Sequence, residues 1–112
     1  MQNIQQFHRD HVPAVPPPLH LLGSTSVSYN QGMVLLEDGT SPDTAKPTDI
    51  RVFTVQGHPE FTASISNFII DARIQTGVLS KQVAEDARLR NAKLQNDGVD
   101  IVGRLMWKIM GA

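Results

Sequence analysis

Two side chains able to move a proton stand two residues apart in Val55-Gln56-Gly57-His58-Pro59-Glu60-Phe61. The preceding Ile50-Arg51-Val52-Phe53-Thr54 is rich in β-branched and aromatic residues and reads as a buried strand. Thr62 follows, and after it the apolar residues recur with helical spacing. An imidazole and a carboxylate therefore fall where a strand ends and a helix begins, the place where ligands gather in α/β sheets. Side chains two apart on extended backbone point to one side. Glu60 could hold one nitrogen of His58 and leave the other to accept a proton, the base-and-orienter half of a nucleophilic triad. The plainer alternative is a capped strand end, with Glu60 favoured by the dipole of the next helix and His58 bonded locally.

A second polar cluster, His8-Arg9-Asp10-His11, could be a turn held by its own side chains. Together with His20 it also offers metal-ligand types, although the spacing is loose and no second cluster backs it. His-Arg-Asp also occurs in the protein-kinase catalytic loop, but that loop needs an Asn five residues after the Asp, where this chain has Val15.

Taken together, these residues resemble a known family. Gln56-Gly57-His58-Pro59-Glu60 is similar to the His-Pro-Glu signature of the class I glutamine amidotransferases. Gln6-Phe7-His8-Arg9-Asp10-His11-Val12, then Pro16, resembles the family's Ser-His-x-Asp-x-Val…Pro segment, and Gly23-Ser24-Thr25-Ser26 and Asn30-Gln31-Gly32-Met33 resemble the strands between. The landmarks run in family order from about Gln6 to about Ile69 and are most similar to the stand-alone, GMP-synthase-like amidotransferases of fungi. The resemblance implies an α/β fold, the C-terminal half of a flavodoxin-like domain, with short mixed or antiparallel strands followed by three helices. It implies His58 and Glu60 as catalytic residues of a Cys-His-Glu triad, and His8, Arg9 and Asp10 as substrate-binding residues beside a glutamine pocket. The implied reaction is hydrolysis of the glutamine side-chain amide to glutamate and ammonia, with no metal or redox cofactor. Cleavage of γ-glutamyl peptides presents the same carbonyl to the same triad and is an alternative.

The chain departs from the family pattern in having no cysteine, so the nucleophile and its oxyanion turn are missing. The expectation is a partial domain over 1–112, with strands, loops and the His-Pro-Glu motif in 1–61 and a helical part in 62–112, inactive alone. A non-catalytic pseudo-amidotransferase acting as an interaction partner is the second expectation. The expected partners are glutamine in the complete domain and either the missing N-terminal half or further copies of the chain.

The elements that must position the pair follow from local pattern. Strands are expected at Ile4–Phe7, Leu19–Gly23, Ser26–Tyr29, Met33–Leu36 and Arg51–Val55, and the run of short ones should pair antiparallel. Pro13, Pro16, Pro17 and Pro18 impose an extended connector. Glu37 to Asp49 is a polar surface loop. Thr62 caps a helix whose Ile65, Phe68, Ile69 and Ala72 form the stripe to be packed on the sheet, and Gly77 stops it. Ser80 caps a second helix, with Val83, Ala84, Ala87, Asn91 and Leu94 on one face. Asp97-Gly98 breaks the pattern before a last helix, roughly Asp100 to Met110. There Ile101, Val102, Leu105, Met106 and Ile109 make a broad apolar face and Trp107 lies near its edge.

Composition narrows the function class. A net charge of −1 over 112 residues gives no electrostatic case for nucleic acid or an anionic membrane. Zero cysteines exclude disulfides and thiolate metal sites. No apolar run approaches the ~20 residues of a membrane helix, and the start lacks a basic, apolar signal pattern. Cytosol is the expected compartment, with the nucleus as the alternative. A half domain should leave Ile50–Val55 with an unpaired edge and be only marginally stable.

Overall fold

The computed structural model describes residues 4–112; residues 1–3 of the expected N-terminal segment lie outside the described part. Three strands, β1 (His20–Gly23), β2 (Gly32–Leu36) and β3 (Ile50–Val55), form one antiparallel sheet in the order β1-β2-β3. Three helices follow, α1 (Ala63–Gln75), α2 (Lys81–Lys93) and α3 (Gly98–Ile109). The architecture is α/β and compatible with part of a flavodoxin-like domain.

Sequential short strands joined by turns give antiparallel pairing. Of the expected mixed or antiparallel sheet, the antiparallel form is the one present. Val34 pairs with Phe53 and Met33 with Thr54 across β2 and β3. Gly32 sits where this pair closes up, since a Cβ there would lie 2.6 Å from the Thr54 carbonyl oxygen. Gln56 N–H donates to the Gln31 carbonyl at 3.0 Å, carrying the ladder one step beyond β3 towards the motif. Among the described strands, β3 pairs only with β2, so its outer edge is open.

Two expected strands do not form as such. Ile4–Phe7 contributes a single antiparallel bridge, Gln5 to His58. Ser26–Tyr29 is not a strand: Thr25 Oγ1 accepts from Ser28 N–H at 3.0 Å while Thr25 N–H donates to the Ser28 carbonyl, a side-chain-closed turn that competes with extended pairing. The loop from Glu37 to Asp49 is mostly exposed and ends in a 3-10 turn at Pro47–Asp49, against which α3 packs.

The helix caps lie where residue chemistry puts them. Thr62 accepts from Ile65 N–H at 3.2 Å and Ser80 from Val83 N–H at 3.3 Å. Gly77, at φ +72, takes the left-handed conformation that ends α1.

The faces differ from the expected stripes. In α1 the inward residues are Ser66 and Ile70, both buried, whereas Ile65, Phe68 and Ala72 are exposed, Phe68 by 75%. The helix is turned by about one residue because it packs on α2 rather than lying across the sheet. In α2, Ala84, Ala87 and Asn91 face inward as expected, but Val83 and Leu94 face out. α3 begins at Gly98, two residues earlier than expected, and turns Val102, Leu105 and Ile109 inward while Ile101, Met106 and Trp107 remain exposed. The buried apolar residues among those described are Val34, Leu36, Ile70, Ala84 and Val102.

Candidate active site

The Gln5–His58 bridge fixes the site. His58 N–H donates to the Gln5 carbonyl at 2.8 Å, so the residue that follows the end of β3 is held by a segment from the start of the chain. Gly57 makes this approach feasible. A Cβ at Gly57 would come within 2.5 Å of Gln6 Nε2 and 2.9 Å of the Gln5 carbonyl oxygen, so the two backbones meet over a position that tolerates no side chain. Behind the motif, Gln5 Nε2 donates to Asn91 Oδ1 at 2.8 Å and Asn91 Nδ2 donates to Asn67 Oδ1 at 3.0 Å. This amide relay ties the bridge to α2 and α1. On the other side of the turn, the start of α3 packs on the motif: a Cβ on Gly98 would collide with the Pro59 backbone.

On that support, His58 Nδ1 and Glu60 Oε1 lie 2.9 Å apart. The Glu60 carboxyl is held below its usual range, first by the hydrogen bond from His58 and then by its own backbone N–H. It is therefore ionised at neutral pH and can only accept. Nδ1 must donate, which leaves Nε2 of the neutral ring as an acceptor with no hydrogen-bond partner among the described residues. The His58 side chain is 38% exposed, so a reactant can reach it. The ring also lies flat on Phe61, with centroids 4.1 Å apart and an interplanar angle of 7°. Phe7 meets Phe61 at 6.0 Å, tilted, and the Arg73 guanidinium stands 5.6 Å over the Phe7 ring.

The other expected site residues, His8, Arg9 and Asp10, make no hydrogen-bonded or ionic contact with His58 among the described residues. His8 follows the bridge strand, but both its ring nitrogens are engaged locally, Nδ1 with the Asp10 carbonyl at 3.0 Å and Nε2 with Gln6 Oε1 at 2.9 Å. Its side chain closes a turn. Arg9 and Asp10 are exposed, and no hydrogen bond or ion pair brings either side chain to His58. The metal alternative built on His8, Asp10, His11 and His20 finds no support, because no group of three or more candidate ligands comes together among the described residues.

The sequence reading missed Gln5, Gln6, Phe61 and Asn91. Asn91 did carry a signal, as a polar amide inside the otherwise apolar stripe of α2. Gly57 carried another, immediately before the histidine. A cavity of about 210 Å³ opens beside the motif, lined by Val12, Asn30, Gly32, Met33, Thr54, Val55 and Gln56.

This arrangement of residues can do base chemistry. It has an oriented imidazole with one free nitrogen, a fixed anion behind it and an open approach, but the chain has no cysteine to act as nucleophile. No family model matches the chain, and no solved structure matches it. A glutamine amidotransferase-like protein of Schizosaccharomyces pombe is 34% identical over 89 residues, which covers 80% of this chain and 31% of that protein. The chain thus spans about a third of the length of this curated relative. The similarity supports the general glutamine amidotransferase-like family.

Proposed function

We propose that the chain supplies the histidine–glutamate half of a class I, GMP-synthase-like Cys-His-Glu triad that hydrolyses the side-chain amide of glutamine. The observation that carries the reading is the His58 Nδ1–Glu60 Oε1 contact at 2.9 Å, with Nε2 left free. The nucleophile is a cysteine from outside these residues, since the chain has none. His58 Nε2 takes the thiol proton as sulfur bonds to the amide carbon of glutamine. Glu60 holds the imidazolium that results. The same proton then passes to the departing nitrogen, which leaves as ammonia with cleavage of the C–N bond. His58 next takes a proton from water, whose oxygen attacks the thioester carbon; the C–S bond breaks, His58 returns the proton to sulfur, and glutamate and the thiol are released. No step calls on a metal or redox cofactor.

The test is glutamine hydrolysis by the chain together with a cysteine-bearing segment. His58→Ala should lower kcat by at least about 10³-fold, in the range seen when a triad base is removed. Unchanged turnover would overturn the assignment of the base. γ-Glutamyl peptides present the same carbonyl and are the competing substrate class in that assay.

A second reading has its own support. The absence of cysteine, together with exposed Ile65, Phe68, Met106 and Trp107, favours a non-catalytic partner whose apolar faces are covered in a complex. A chain that runs as a well-behaved monomer in size-exclusion scattering would count against this second reading.

A further inference from the structure

We infer that Phe61 is a positioning residue for His58, an aromatic platform that fixes the plane of the imidazole as Glu60 fixes its tautomer. The inference rests on the functional reading above for its purpose, but not for its geometry. A histidine side chain has two torsions, and a single hydrogen bond at Nδ1 leaves the ring able to swing about that bond or to turn over. The 7° interplanar angle and 4.1 Å centroid separation from Phe61 oppose the swing, and a turn-over must pass through the blocked orientations. Any rotation of the imidazole out of plane would drive an edge into the phenyl face.

The platform is itself held. Phe7 packs against Phe61 from the bridge segment, and Arg73 of α1 sits over the Phe7 ring at 5.6 Å. Glu60, His58, Phe61, Phe7 and Arg73 thus form one continuous array that draws on the motif turn, the N-terminal segment and α1. The array also suits the chemistry. An aromatic face carries negative potential and attracts a cation, and the form of His58 that must be stabilised during proton transfer is the imidazolium. Phe61 therefore lies against the face of the ring while Glu60 bonds its edge.

The experiment is histidine-selective ¹⁵N NMR on the whole chain at a pH high enough that the ring is neutral, reading which ring nitrogen of His58 carries the proton. The wild-type chain should show a single tautomer, protonated at Nδ1. Phe61→Tyr keeps the face and should keep that single tautomer. Phe61→Leu keeps apolar bulk but removes the face, and should give a mixture in which the Nε2-protonated form rises severalfold. Phe7→Leu leaves Phe61 in place, removes the ring that backs it, and should give a smaller share of the second form. Far-UV circular dichroism checks that each variant keeps its helices, and if Phe61→Leu unfolds, Phe7→Leu carries the test. A single, unchanged tautomer in the folded leucine variants would overturn the platform, because a purely structural Phe61 would leave the tautomer to Glu60 alone. That failure is separable from failure of the functional reading, which is decided by glutamine turnover in the His58→Ala variant.

Discussion

At the scale of single residues, the site depends on one position that has no side chain and one that has a charge. Gly57 is where the N-terminal segment crosses the motif, with the Gln5 carbonyl and the Gln6 side-chain amide both inside the space a Cβ would need. Gly57→Ala should push the N-terminal segment away and break the His58 N–H to Gln5 bond. Faster hydrogen exchange at the His58 amide, with the helices unchanged, is the expected result. Glu60 makes the other test. Its carboxyl titrates below the ordinary value of 4.5 because His58 donates to it. A group whose folded pKa is depressed contributes stability that is present above its unfolded value and lost as pH falls through its folded value. The wild-type chain should therefore lose denaturant resistance as pH drops below about 4.5, and Glu60→Gln should lack that component of the loss. Glu60 is largely exposed, so the effect is small and is read as a difference between two pH profiles.

At the scale of elements, the amide relay from Gln5 through Asn91 to Asn67 decides whether the bridge segment stays docked. Asn91→Ala removes both bonds and leaves two part-buried amides short of a partner. The expected cost is about 1–3 kcal/mol, read from the urea midpoint. Helix α1 gives the matching contrast. Ile70→Ala should cost about 2–4 kcal/mol as a buried deletion, whereas Phe68→Gln should change the stability of the chain by less than about 0.5 kcal/mol. Had Ile65, Phe68, Ile69 and Ala72 been the packed stripe, the order would be reversed.

The sequence was legible where structure is decided locally. Ile50–Val55, the caps at Thr62 and Ser80, the stop at Gly77 and the contact of His58 with Glu60 all depend on neighbours a few residues away. It was less legible where several partners compete for one group, whether near in the chain or far from it. α1 has apolar residues around much of its girth, including Ile65, Phe68, Ile69, Ile70 and Ile74, so periodicity alone could not say which side α2 would cover. At Ser26–Tyr29, β-forming residues lost to the hydroxyl of Thr25. His8 was legible as a turn residue by type, yet the oxygens that claim both its nitrogens come from Gln6 and Asp10, and only the fold shows them in place. Gln5 and Asn91 are joined across 86 residues, a separation at which no local pattern has a voice.

At the scale of the whole molecule, the chain is open. It measures 50 × 29 × 20 Å with a radius of gyration of 16.0 Å, against roughly 13 Å for a compact domain of this length. Its surface of 7985 Å² exceeds the roughly 6,100 Å² of a compact monomer of this mass by about 1,900 Å². That excess is more than the roughly 800 Å² each partner buries in a standard interface. The exposed edge of β3 and the outward Ile65, Phe68, Met106 and Trp107 are part of that open surface. The isolated chain should therefore melt at or below about 45 °C, the low end for ordinary domains, and bind an apolar dye. A sharp, reversible transition well above 50 °C, within the usual range, would show that the small core of Val34, Leu36, Ile70, Ala84 and Val102 suffices.

The long reach of the Gln5–Asn91 bond also has a consequence in time. Glu60 lies two residues from His58, so these two side chains can meet as soon as their turn leaves the ribosome. Gln5, which grips the His58 backbone, is itself gripped by a residue made 86 positions later. At typical synthesis rates that interval is about 4–17 s. For those seconds His58 and Glu60 can already be in contact while Gln5 still lacks its Asn91 partner, and contacts so far apart in sequence cost loop-closure entropy that the local pair does not. The pair is local, whereas the support that anchors its backbone to α2 must wait for the C-terminal part of the chain.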